Sequence, residues 1–192
     1  MTEDTRLAAP CAAFTQGRMI AKGPLADVAM AVNALKPEGT VLIFDSTSGA
    51  QIDVDLRGST AEAITRLAAF QQMAPEPKKR GRPKMGVIAR EITLLPRHWD
   101  WLALQPGGAS QALRRLVDQA RKADEGRTTL RLAHERAYRF MSALAGDYPG
   151  FEAASRALFA DDMAGMEAAA ADWPEDVRNH ALDLARPDED QG

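Results

Sequence analysis

The stretch QQMAPEPKKRGRPK, Gln71 to Lys84, offers a hydrophobic core almost nothing. Met73 and Ala74 are its only apolar side chains apart from proline, and five cations fall between Lys78 and Lys84. Prolines at 75, 77 and 83 remove backbone donors and oppose a continuous helix or an interior strand. A segment of this composition is a linker, so a chain of 192 residues must build its cores on either side of it. The implied layout is an α+β fold in four parts. These are a small α+β domain over residues 1–70, a basic linker over 71–85, a strand-helix-helix segment over 86–123 and a helical unit over 127–186.

The first part opens with a strand pair around Cys11 to Phe14 and Met19 to Ala21, turned at Gln16-Gly17. Pro24 suits a first helical position, and Leu25, Val28, Ala29, Val32 and Leu35 recur at helical spacing. TVLIFD and AQIDVDL then read as a hairpin whose Asp53 and Asp55 face water, and Ser59 with Glu62 resembles a capping box for a helix through Ile64 and Leu67. In the third part GVIAREITLL, Gly86 to Leu95, is β-rich, Pro96 opens a short helix, and Pro106 to Gly108 turn the chain. Ser110 is placed to cap a second helix in which Leu113, Leu116, Val117 and Ala120 form a stripe, with Arg114, Arg115, Arg121 and Lys122 largely away from it. Beyond Gly126 the spacing predicts three helices, carried by Ala133 to Leu144, Phe151 to Phe159, and Trp173 to Leu184.

The formal net charge of −3 conceals a strong asymmetry. Pro77 to Lys122 contains eleven Lys and Arg against Glu91, Asp100 and Asp118, a balance of +8, which leaves −11 for the remainder. A basic centre between acidic flanks points to a polyanionic partner. No apolar run approaches the roughly 18 residues of a membrane span, and MTEDTRLAAPCAAF carries acids where a secretory leader carries cations. A cytoplasmic protein with no membrane partner is expected. Cys11 is alone, which excludes an intramolecular disulfide and suits a small buried apolar residue.

RGRPK within PKKRGRPK resembles the AT-hook of chromatin proteins. The resemblance implies that Gly81 and Pro83 hold an extended backbone along an AT-rich minor groove, that Arg80 and Arg82 enter it, and that Lys78, Lys79 and Lys84 meet phosphates. The segment behind it resembles the ribbon-helix-helix fold of small bacterial repressors, on EITLLP, HWDWL, GGAS and LRRLV. This second resemblance implies a homodimer through residues 86–95. It also implies phosphate contacts from the backbone amides of Ala109 and Ser110, ribbon contacts near Arg90 and Thr93, and further cations at Arg114 and Arg115. Two registers of the ribbon stand open. One turns Ile88, Ile92 and Leu94 inward and Glu91 outward, and the other exposes Arg90 together with Ile92 and Leu94.

Catalytic chemistry finds little footing. Asp45, Asp53 and Asp55 could draw a divalent cation, but alternating aspartates are how an antiparallel sheet meets water. His98, His134 and His180 lie on separate helices with no HxxxH or HExxH spacing, and there is no GxSxG elbow or phosphate loop. The expectation is a non-enzymatic protein without metal, catalytic residue or cofactor. It is a DNA-binding transcriptional regulator or nucleoid-associated factor, the alternative being a protein- or RNA-interaction module whose basic linker docks an acidic partner. Taken whole, the chain resembles the bacterial domain-of-unknown-function family 2239. LIFDSTSGAQIDVDLRG, GRPKMGVIAREITLLPRHWDWLALQPGGASQALRRLVDQAR and AYRFMSALAGDYPGFEAASRALFA carry that resemblance.

Overall fold

Four consecutive apolar residues, Cys11 to Phe14, are all buried, and this run organises the first part of the fold. It forms most of β1 (Pro10–Thr15), which lies inside a four-stranded antiparallel sheet of order β2-β1-β3-β4 with β2 (Arg18–Pro24), β3 (Val41–Asp45) and β4 (Gln51–Ile52). A strand whose side chains are buried on both sides must be covered on both faces. Cys11 and Ala13 point to one face, where Leu25, Val28 and Val32 of α1 (Leu25–Leu35) pack with Ile43. Ala12 and Phe14 point to the other, joining Phe44 and the C-terminal helices. The computed structural model describes residues 7–55, Glu62, Thr65 and 90–187.

The β1–β2 turn falls at Gln16-Gly17, both with positive φ (50° and 76°), the backbone that a two-residue hairpin of native twist requires. β1 pairs with β3 from Cys11↔Asp45 to Thr15↔Val41, and β3 with β4 at Ile43↔Ile52. Asp53 and Asp55 are exposed, while Ile52 and Val54 pack on the α1 side. The helix expected from Ser59 lies outside the described residues except at Glu62 and Thr65, which are helical.

Among the described residues, four further helices belong to this part: α4 (Arg127–Leu144), α5 (Phe151–Phe159), α6 (Met163–Ala169) and α7 (Glu175–Ala185). Phe140 meets Phe14 and Phe44 at ring-centroid distances of 5.2 and 4.9 Å, so strand and helix residues far apart in the chain share one core. Polar contacts fix the same arrangement. Met19 donates its backbone N–H to Asp176 at 2.9 Å, Arg139 donates to the Ser48 carbonyl at 3.0 Å, and buried Arg136 donates to the Leu184 carbonyl at 2.7 Å. Gly49 is required where the β3–β4 turn meets α4, because a Cβ there would lie 1.9 Å from the Arg136 carbonyl oxygen. The sequence spacing divides residues 1–70 from 127–186. In the structure residues 1–75 and 128–192 form one unit, and 76–127 form a second.

The second unit contains α2 (Pro96–Ala103) and α3 (Gly108–Asp124). Pro96 stands at the first position of α2, where its missing N–H costs nothing, and the Leu95 carbonyl accepts from His98 N at 2.8 Å. Gly107 and Gly108, with φ of 79° and 75°, make the turn into α3. A Cβ at Gly107 would also overlap the Gln111 side chain at 1.6 Å. Leu102 and Ala112 are the buried apolar residues among those described in this unit.

Candidate nucleic-acid interface

α3 is the element that arrays charge. At 100° per residue, Ala112, Leu113, Leu116, Ala120 and Ala123 share one side. Arg114, Arg115, Arg121 and Lys122 lie on the other, all four exposed, and surround exposed Asp118, so this side carries a net +3. Arg114 and Arg121 are seven residues apart, as are Arg115 and Lys122, so each pair stacks along the helix at two-turn spacing. Arg121 and Lys122 also occupy the last turn, where cations favour the carbonyl end of the dipole. Arg97 on α2 adds another exposed cation to this unit.

The amide anchor differs in detail from expectation. Ser110 does not cap α3: the cap is Gly107, with no side-chain bond, and Ser110 sits third inside the helix, where its Oγ accepts from Arg114 at 3.5 Å. The two glycines supply the turn that a serine cap would otherwise define. The Ala109 and Ser110 amides remain in the first turn, among the helix-end donors that carry no intrahelical bond.

The ribbon expected over residues 86–95 is one that two chains form together. Arg90 to Leu95 carries no strand, and the sheet contains no member from this segment. An extended segment becomes a strand only by pairing its N–H and C=O groups, and no neighbouring strand supplies them here among the described residues. Arg90 and Thr93 are exposed in this irregular segment, as is Glu91. Gly86 to Ala89, together with Lys78, Lys79, Arg80, Gly81, Arg82, Pro83 and Lys84, lies outside the described residues. Among the predicted contacts, Ala109, Ser110, Arg114 and Arg115 therefore share one helix, and Arg90 and Thr93 belong to the segment before α2. Arg97, Arg121 and Lys122 belong with them, and the two-turn spacing of the α3 cations is the signal that identifies the latter pair.

The rest of the described molecule argues for structural roles. Asp45 accepts from the Thr47 and Ser48 amides at 2.7 and 3.1 Å, so it shapes the β3–β4 turn. Among the described residues, no three of His, Cys, Asp and Glu gather as a metal site would need. Burial, reinforced by the charge of Asp45, pushes the Cys11 thiol up to about 11, which keeps it protonated and poorly nucleophilic. His98 is exposed, His134 is buried with Nε2 at 3.6 Å from Asp161, and His180 is buried among rings. A wide-open depression of about 360 Å³ lies over Gly49, Gln51, Tyr138 and Ser142, but its one cation, Arg139, is engaged by Ser48 and Glu135. No described helix is long and apolar enough to cross a membrane.

The family model described as "Uncharacterized protein conserved in bacteria (DUF2239)" matches residues 10–185, a span that takes in all of the second unit and most of the first. No curated protein and no solved structure matches the chain.

Proposed function

We propose that this chain, which belongs to the DUF2239 family of bacterial proteins, is a non-enzymatic DNA-binding protein. It acts in the cytoplasm as a regulator or nucleoid-associated factor and works as a pair of copies. One observation carries the proposal: four exposed cations against one acid, Asp118, line one side of α3, within a stretch from Pro77 to Lys122 whose balance is +8 in a chain of −3. Such a face neutralises phosphates and releases their counterions, which gives affinity of low sequence content. The amides of Ala109 and Ser110 add a position where one phosphate can seat against the helix dipole. The segment Lys78 to Lys84 supplies the groove contact, with Arg80 and Arg82 entering a narrow minor groove.

A second proposal, that the basic segment docks RNA or an acidic protein, is favoured by the irregular course of Arg90 to Leu95, which pairs with no strand of its own chain among the described residues. The test is a titration of AT-rich duplex by fluorescence anisotropy at two salt concentrations. Arg80→Ala with Arg82→Ala is expected to weaken binding and to lower the salt slope by about 2, at ~0.9 for each phosphate no longer neutralised. Arg114→Ala with Arg115→Ala should do the same across sequences. Affinity and slope unchanged in both variants would defeat the DNA proposal, and stronger binding to single-stranded RNA than to duplex would favour the second.

A further inference from the structure

Asp118 is the one acid inside the cationic row of α3, and its position is central. It stands four residues after Arg114, three after Arg115, three before Arg121 and four before Lys122, within about 60° of each around the helix. All five side chains are exposed. The row is therefore two cation pairs set seven positions apart, or ~10.5 Å along the axis, with a carboxylate midway between them. Arg114 leans back to the Ser110 hydroxyl at 3.5 Å, which opens that gap further. Beyond Lys122 the chain turns acidic at Asp124 and Glu125, so the row ends with the second pair.

A carboxylate in the middle of a phosphate-binding face selects by geometry. Like charges ~6 Å apart in water repel enough to cost about threefold in affinity at low salt. One strand of a stacked helix carries a phosphate for roughly every 3.4 Å of its length. A strand laid along α3 would therefore reach both cation pairs only by bringing intervening phosphates against Asp118. A duplex met across a groove offers a different pattern, two rows of phosphate with base edges and no phosphate between them. The minor groove, about 6 Å wide, is narrower than the gap between the pairs, whereas the major groove is about 12 Å wide.

We infer that α3 crosses the major groove of a duplex, with Arg114 and Arg115 on phosphates of one strand, Arg121 and Lys122 on those of the other, and Asp118 over the uncharged gap between. The inference rests on the DNA proposal and deepens it, because Asp118 becomes the residue that sets duplex over single strand. It acts by repulsion, disfavouring a ligand whose charge runs on without a break, and not by any attraction of its own. A helix that bridges two backbones meets phosphates before base edges, which agrees with binding of low sequence content.

Anisotropy titrations of the full chain at low salt, with an AT-rich duplex and with single-stranded oligothymidylate of the same length, read the ratio of the two affinities. The wild type should prefer the duplex. Asp118→Asn should narrow that preference by roughly threefold or more, tightening the single strand more than the duplex, and Asp118→Lys should narrow it further. Asp147→Asn makes the same change of net charge at an exposed site of the first unit and should leave the ratio as it is. Thermal melting of Asp118→Asn by circular dichroism accompanies the titrations, because an acid at these spacings from four cations also supports a helix. A wild type that prefers the single strand, an unchanged ratio in Asp118→Asn, with or without a lower melting temperature, or an equal change in Asp147→Asn would each overturn the inference. If Arg80→Ala with Arg82→Ala and Arg114→Ala with Arg115→Ala both leave binding untouched, the DNA proposal falls and the inference falls with it. A loss in Arg114→Ala with Arg115→Ala beside an unchanged ratio in Asp118→Asn removes the crossing geometry alone.

Discussion

Replacing Phe140 with alanine should cost about 3–5 kcal/mol of stability, the range for deleting a fully buried aromatic ring. Phe140 is fully buried and meets Phe14, Phe44 and His180 at centroid distances of 5.2, 4.9 and 4.9 Å. Those rings come from β1, β3 and α7, so the cavity would open where sheet and helices join and could not close by relaxation of a single element. Because one core serves both, strand and helix signals should disappear together in urea, at a lower midpoint and in a single transition. Leu132→Ala on the same helix, at a side chain about half exposed, should change stability by no more than ~0.5 kcal/mol. Sheet and helices melting in two separate steps, or a Phe140→Ala loss near that of Leu132→Ala, would contradict the shared core.

Local pattern made most elements legible before the structure. The Gln16-Gly17 turn, the Leu25–Val32 stripe, Pro96 at the start of α2 and the Ala133–Met141 stripe each rest on a few neighbouring residues, and each appears at those positions. The α+β class follows from them. The joining of the first and last parts of the chain was not legible, because Phe14 and Phe140 are related only through tertiary packing. A hint existed in Cys11 to Phe14, whose unbroken apolar run implies a strand covered on both faces without saying by what. α6 escaped notice because MAGMEAA is short and rich in small residues, with Met166 its buried residue. Residues 90–95 show the limit of propensity: β-branched composition suggests a strand, which only a partner can complete, and within one chain the segment pairs with no strand among the described residues. At the candidate interface, the α3 cations were readable from spacing, whereas the capping role of Gly107 in place of Ser110 depended on backbone angles that the GGAS sequence does not dictate.

Acidification should destabilise the protein through His180. Its side chain packs against the rings of Phe14 and Phe140 at 5.3 and 4.9 Å, and neither nitrogen has a hydrogen-bond partner. Burial, reinforced by Lys22 and opposed by Asp183, pushes the imidazole down from 6.5 to about 4. Lys22 and Asp183 are themselves a pair at 3.7 Å, so their opposing fields largely offset and burial dominates. The sign follows from proton uptake. Between these two values the unfolded chain binds a proton that the folded core refuses, so this contribution is intact above pH 6.5, is lost as pH falls toward 4, and levels off below. A shift of that size corresponds to on the order of 3 kcal/mol. His180→Leu replaces an unsatisfied imidazole with an apolar side chain of similar volume, and should remove this step while raising stability at every pH. Urea midpoints for both proteins at about pH 7.5 and about pH 4.5 test it, since every other group is common to both proteins and cancels in the comparison. The advantage of the leucine variant should widen by about 2.5 kcal/mol at the lower pH. An advantage that stays constant would mean that the core admits the protonated ring, and that Phe14 and Phe140 stabilise a cation where the geometry offers it no acceptor.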